Sequence, residues 1–224
     1  MGSLETTPVV QIPLIDIAGY FSGDQETKSQ IARELRAACE APGFFQITGH
    51  GVSSELRSKV LSQLSQFFAL PLSAKQALHR SQSKCIRGYE TVGEQKLEAS
   101  FSDQKEGFLI GPEFPADGRF LQGPNQWPSE ELVPGFHEVI MTYFNEVHAL
   151  SKTMFRLMAL SLNLEETYFD AFVGSEDCES DGKELLASLV THKNHNSHFN
   201  LPFSSISSNY ARDGAAFKRN WRAH

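Results

Sequence analysis

Long apolar runs, paired cysteines and an excess of positive charge are all missing from this 224-residue sequence. No apolar stretch approaches the roughly 18 to 20 residues needed to cross a bilayer, so no membrane span is expected. The start, MGSLETTPVVQIP, has neither a basic cluster nor a continuous apolar segment, unlike a secretory leader. A cytoplasmic protein is the expectation. Cys39, Cys85 and Cys178 are odd in number, far apart and without a Cys-x-x-Cys pair. They imply neither a disulfide framework nor a zinc knuckle, and free, mostly packed thiols are expected. Twenty Lys and Arg stand against 27 Asp and Glu, a net charge of -7. That balance excludes nucleic acid as a general partner, because phosphate binding needs a basic face.

What is present fits a folded, soluble chain. Hydrophobic residues make up 40% and charged residues 21%, and 17 Phe supply large apolar side chains for a core. The length suits one large domain or two small ones. Charge is unevenly spread. From Val190 onward, Lys193, Arg212, Lys218, Arg219 and Arg222 oppose the single acid Asp213, a balance of +4, so the preceding part carries -11 of the total -7.

Apolar periodicity predicts a mixture of helices and short strands. Ile12-Pro-Leu-Ile-Asp-Ile17 reads as a buried strand, with Gly19 and Gly23 marking a turn. Ile31, Leu35 and Ala38 recur at helical spacing from about Glu26 to Cys39, and Pro42-Gly43 stops that helix. Gly43 to Gly49 reads as a strand. Ser53 is placed to cap a helix carrying Leu56, Val60, Leu64, Phe67 and Phe68, and Ser73 to cap a shorter one through Leu78. The stretch from Cys85 to Trp127 is expected to hold loops and short strands, including Gly107 to Gly111. Pro134 is expected in the first turn of the longest helix, about 25 to 30 residues, followed by a last short helix over Leu164 to Asp170. Glu184 to Val190 reads as the start of a strand or a final short helix.

Several segments together resemble the non-haem dioxygenase superfamily of isopenicillin N synthase and its 2-oxoglutarate-dependent relatives. They are IPLIDIAGY, ELRAACEAPGFFQITGHGV, FFALPLSAKQ, RGYETVGEQ, SDQKEGFLIGPEFP, GPNQWP and the long stretch ending LMALSLNLEETYFDAF. The resemblance runs from Val9 to Leu189. It implies an α+β fold: a helical N-terminal region with a few strands of an incomplete double-stranded β-helix, or jelly roll. It also implies oxidation of a small organic molecule with Fe(II), 2-oxoglutarate and O2. Iron in such enzymes is held by a His-x-Asp pair and a distant His, and an Arg-x-Ser pair holds the cosubstrate's distal carboxylate. RGY is expected to pass near the substrate mouth, which makes Arg87 and Tyr89 candidate substrate contacts. Read as residues alone, they are equally a loop Arg and a packed Tyr. Lys105 and Glu106 read as a structural ion pair or a solvated strand end.

The pattern breaks at Val190, where VTHKNHNSHFNLPFSS takes over. None of His192, His195, His198 and His224 is followed two places later by Asp or Glu, and none of Arg212, Arg219 and Arg222 by Ser or Thr. His192, His195 and His198 are spaced by three and on a helix would share a face able to bind a transition metal. Their Asn- and Ser-rich surroundings are poor helix formers without a supporting carboxylate, so a native metal site is not expected. His50, His79, His137 and His148 have ordinary places in a turn or on helices and form no ligand set.

Two segments are therefore expected: a non-haem dioxygenase N-terminal region over 9–189 and a divergent, disordered basic tail over 190–224. The function expected is that of a family member acting on a small molecule, catalytically incomplete in this chain and with no cofactor bound by it. The alternative is a non-catalytic binding or interaction protein derived from a dioxygenase. It would use apolar surface left uncovered beside the long helix to meet a protein partner.

Overall fold

The computed structural model describes residues 11–94, 105–116, 121–173 and 187–192. They fall into two compact units, Met1–Val52 with Ala149–Gly174, and Ser53–His148 with Ser175–His224.

In the first unit, β1 (Leu14–Asp16) pairs in parallel with β2 (Gln46–Thr48), in register Leu14 with Gln46, Ile15 with Ile47 and Asp16 with Thr48. Between them run α1 (Ala18–Ser22) and α2 (Gln25–Glu40). The turn expected at Gly19 and Gly23 is instead a short helix. Gly19 lies within α1, and the Gly23 N–H donates to the Gly19 carbonyl at its end, 2.7 Å away. The Asp24 carboxylate caps α2 by accepting the Thr27 N–H at 2.9 Å. Ile31, Ala32, Leu35 and Ala38 are buried, which is the apolar face expected from spacings of three and four. The chain turns at Gly49 with φ +65, where a Cβ would run into the Asp16 carboxylate and Ala18. Only glycine fits there.

The second unit opens with α3 (Ser54–Phe68), capped as expected by Ser53, whose hydroxyl accepts the Leu56 N–H at 3.0 Å. The cap expected at Ser73 is not used. α4 (Leu72–Gln76) begins at Pro71, whose carbonyl accepts the N–H groups of Ala74 and Lys75, so the helix starts before Ser73 is reached. β3 (Gly88–Glu90), β4 (Lys105–Ile110) and β5 (Ala187–His192) form an antiparallel sheet in the order β3-β4-β5. β5 carries the sheet three residues past Leu189, pairing Val190 with Gly107 and His192 with Lys105. The expected boundary at 190 thus falls inside a strand, and the rest of the expected tail lies outside the described residues.

Val60, Leu64 and Phe67 of α3 meet Tyr89, Phe108 and Ile110 of the sheet, with Val133, Phe136, Ile140 and Phe144 closing the cluster. The Phe67 ring lies 4.8 Å from Phe108 and 5.3 Å from Phe136, centroid to centroid. Each such buried ring contributes about 1.5–3 kcal/mol relative to an exposed one.

α5 (Phe136–Ser161) is 26 residues long and gives its first half to the second unit and its second half to the first. Pro134 stands two residues ahead of it rather than in its first turn, and the Gly135 N–H donates to the Glu130 carboxylate at 2.8 Å. After α5, Asn163 takes a left-handed φ of +57 while Leu164 N–H reaches back to the Ala159 carbonyl at 2.9 Å. Asn thus fills the role glycine often has at a helix C-terminus. The helix expected over Leu164 to Asp170 is a series of three-residue turns, and α6 (Asp170–Val173) begins only at its end.

Candidate functional site

Polar side chains inside the second unit gather around β4. Glu106 follows Lys105 at the start of the strand KEGFLI, and its carboxylate oxygen Oε2 accepts from Lys75 Nζ of α4 at 2.7 Å and from the Tyr89 hydroxyl of β3 at 2.7 Å. Lys75 Nζ also donates to the Phe68 carbonyl at 2.9 Å and lies 5.4 Å from the centre of the Tyr89 ring. The side chains of Lys75 and Glu106 are only 8% and 7% exposed. An ion pair that deep is tolerable only when further hydrogen bonds satisfy both charges, and the Phe68 carbonyl and Tyr89 hydroxyl do so. Burial, followed by the hydrogen bond and charge of Glu106, pushes the Tyr89 hydroxyl well above the ordinary tyrosine range. The group is held neutral as a donor and is a poor nucleophile or base.

The pairing corrects the sequence reading. Glu106 pairs with Lys75, 31 positions away, and not with its neighbour Lys105, because successive strand residues point to opposite faces.

A second polar cluster explains the segment GPNQWP. Asn125 acts as a one-residue strand: its Oδ1 accepts the Gly111 N–H at 2.9 Å and its Nδ2 donates to the Gly111 carbonyl at 2.7 Å. Glu113 accepts from Asn125 Nδ2 at 3.0 Å and from the Trp127 indole N–H at 2.8 Å. The Gln126 amide donates to the Arg87 carbonyl at 2.6 Å and lies within reach of the carbonyls of Leu78 and His79. Gly88, with φ +113, lets the chain pass so close that a Cβ would meet the Leu78 carbonyl and the Gln126 amide.

Both candidate substrate contacts lie inside this framework. Arg87 is fully buried, its Nη2 donating to the Leu121 carbonyl at 3.3 Å and its guanidinium lying against Gly111. Tyr89 is 1% exposed and engaged by Glu106. The sequence did not single out Lys75, Asn125 or Gln126. The one available signal was the lone carboxylate of Glu106 inside an apolar strand, which calls for a buried partner.

At the edge of this framework, Arg80 holds Glu94 through Nε and Nη2 at 3.1 and 3.0 Å, and His79 Nε2 reaches the other Glu94 oxygen at 3.1 Å. The first unit has its own network. Glu166 accepts from the Tyr20 hydroxyl at 2.6 Å and from Lys28 Nζ at 3.0 Å, while Arg156 makes a two-point bond to Asp170 at 2.9 and 2.7 Å. The Tyr20 hydrogen bond, joined by Lys28, holds Glu166 below the usual glutamate value. Burial and Glu166 push Tyr20 up to about 12.

No group of three His, Cys, Asp or Glu side chains among the described residues is placed to hold a metal ion. His50 Nδ1 accepts the Val52 N–H at 3.2 Å, His137 stacks on Trp127 with centroids 4.5 Å apart, and His148 meets Phe144 edge-on. The described residues therefore do not fit an iron centre. Of the weak trio His192, His195 and His198, the first ends β5 and the others lie outside the described residues. Neither Cys39 nor Cys85 is part of a disulfide among the described residues, the Cys85 thiol donates to the Gln122 carbonyl at 2.9 Å, and Cys178 lies outside the described residues.

Residues 12–130 match the family model described as non-haem dioxygenase in morphine synthesis N-terminal. Over 168 residues the chain is 39% identical to the 2-oxoglutarate-Fe(II) type oxidoreductase hxnY of Emericella nidulans, covering 70% of this chain and 48% of that protein. It is 35% identical over 173 residues to the 2-oxoglutarate-dependent dioxygenase caaD of Aspergillus niger, covering 76% and 54% respectively. The chain thus spans about half the length of the curated relatives it matches. Among solved structures, the C-terminal truncated Neurospora crassa T7H in apo form aligns with a TM-score of 0.65 at 27% identity, over 84% of this chain and 66% of that one. The full-length Neurospora crassa T7H in complex with alpha-KG and thymine aligns with a TM-score of 0.64 at 25% identity, over 80% and 54%.

Proposed function

We infer the function of this chain from one premise: it belongs to the non-haem dioxygenase family, of which it carries the N-terminal region. We propose that it forms the structural front of an oxidoreductase that acts on a small organic molecule with 2-oxoglutarate, and that it turns over no 2-oxoglutarate by itself. When bound, iron(II) supplies the centre at which O2 and 2-oxoglutarate react in such enzymes. In this reading the residues that hold it are not among those of this chain.

The observation that supports the reading is how the polar groups of the matching segments are used. Glu106 of KEGF is taken up by Lys75 and Tyr89. Asn125 and Gln126 of GPNQWP are taken up by backbone groups of Gly111 and Arg87. These side chains fix strands and loops instead of converging on an open pocket. Arg87 and Tyr89 would position the wall of a substrate mouth from behind, and direct contact with substrate would require the framework around them to open.

No helix among the described residues is long and apolar enough to cross a membrane. The net charge of -7 argues against nucleic acid as the substrate.

The test is conversion of 2-oxoglutarate to succinate by the purified 224-residue chain with added iron(II), beside variants in which His192, His195 and His198 are each replaced by Ala. A folded chain without turnover is the expected result. Turnover that disappears in those variants would overturn the reading and place a metal site in the terminal segment.

A further inference from the structure

We propose that segments 85–87 and 121–123 form a strained clasp beside β3 and β4, and that this clasp opens while the sheet stays folded. Opening hinges at Ile86 and Leu121 and brings the buried Gln122 amide and Arg87 guanidinium to solvent. That the clasp serves a substrate mouth rests on the functional reading above. That it opens rests on its geometry alone.

Each segment carries a bulky residue in the left-handed region: Ile86 has φ +59 and Leu121 φ +60. A side chain costs free energy there, a β-branched one most of all, so such residues persist only where their surroundings hold them. Among the described residues, the hydrogen bonds between the two segments are of weak kinds. The Cys85 thiol donates to the Gln122 carbonyl at 2.9 Å, and S–H is a poor donor. Arg87 Nη2 reaches the Leu121 carbonyl at 3.3 Å, beyond the usual range for such a bond. Closure also leaves Gln122 only 2% exposed, with neither its amide nitrogen nor its amide oxygen hydrogen-bonded. A buried amide forgoes the bonds that water would give it, which adds a further cost to the closed form.

Just beyond the clasp the chain is pinned. Asn125 exchanges bonds of 2.9 and 2.7 Å with Gly111, and the Gln126 amide holds the Arg87 carbonyl at 2.6 Å. The Tyr89 N–H donates to the Leu78 carbonyl at 2.8 Å. Gly123 lies between the pinned and the clasped residues, so close to Cys85 that a Cβ on it would meet the sulfur. Strain and an unpaired amide thus stand on one side of Gly123, and satisfied polar groups on the other. Releasing 121–123 from 85–86 relieves both left-handed residues and hydrates Gln122, while β3 and β4 keep their bonds. Local opening of this kind draws on the least stable part of a fold, and the clasp is that part of the second unit.

The experiment follows maleimide labelling of Cys85 in the purified 224-residue chain by peptide mass spectrometry, across a urea series. Cys85 is 6% exposed, so it reacts from an open form. Hydrogen exchange at the Tyr89 and Gly111 N–H groups is read beside it. Labelling independent of urea at low concentration is expected, with opening at Cys85 at least about tenfold more populated than opening at those two amides. Asn tolerates the left-handed region, so Ile86→Asn should slow labelling about fivefold. Gln122→Leu removes the unpaired amide and should slow it roughly tenfold. Ile86→Val keeps the β-branched strain and should leave the rate unchanged. Labelling that follows urea as steeply as global unfolding overturns the proposal, and so does a rate that neither Ile86→Asn nor Gln122→Leu slows. The urea series on the unmodified chain decides the matter even where a variant fails to fold. No step involves 2-oxoglutarate, so a failed clasp leaves the functional reading standing, whereas succinate formed by the chain sinks that reading and leaves the clasp.

Discussion

Replacing Lys75 by Met removes one partner of a buried pair and keeps roughly the volume of the side chain, so the cost falls on Glu106. Its carboxylate loses the 2.7 Å bond from Lys75 and keeps only the Tyr89 hydroxyl. Breaking such a pair typically costs about 3–5 kcal/mol.

The assay is urea unfolding at pH 7 followed by tryptophan fluorescence, with Trp127 reporting on the second unit through its contacts with Phe108 and Phe136. The double variant Lys75→Met with Glu106→Leu should recover most of the loss, leaving about 1 kcal/mol for the Tyr89 hydroxyl without its acceptor. A loss under about 1 kcal/mol for the single variant would refute the account of a buried and fully satisfied pair.

Asn125→Ala should cost about 2–4 kcal/mol, because it strands both the N–H and the carbonyl of Gly111, and thermal melting of the variant reads this directly. Gly88→Ala should destabilise by about 2 kcal/mol or more, since a Cβ at φ +113 meets the Leu78 carbonyl; an unchanged melting temperature would contradict it. In the first unit, Glu166 has a lowered folded pKa, so its contribution is present above about pH 4.5 and is lost as pH falls through the folded value. Tyr20 is raised from 10 to about 12, so its contribution is present below pH 10 and is lost as pH climbs toward 12. Glu166→Gln should flatten the acid limb and weaken the alkaline one in a circular-dichroism titration, whereas an identical profile would sink the assignment.

The helices were largely legible because their signals are local. Apolar residues at spacings of three and four placed α2 and α3 within about a residue, and Ser53 was identifiable as a cap from its position alone. The failures at Ser73, Pro134 and Leu164 are also local in kind. Each boundary was decided by which carbonyl the next N–H groups reach, and several plausible capping residues compete within a few positions. Segments of the family pattern could be read as motifs, but not the duties of their residues. RGY left Arg87 and Tyr89 open between substrate contacts and a loop Arg with a packed Tyr, and the fold buries both. KEGF suggested an ion pair between neighbours, and the strand turned those neighbours apart.

By itself the sequence determined the class of this protein and the places of its long helices α2, α3 and α5, since these are written in adjacent or regularly spaced residues. Tertiary structure alone decided that Lys75 completes Glu106, that Asn125 stands in for a strand beside Gly111, and that Leu14 and Phe44 face water. Those outcomes depend on which distant segments meet, and no local period records that. A buried charge draws its partner from wherever the chain returns, and an apolar strand residue stays exposed until another layer arrives to cover it.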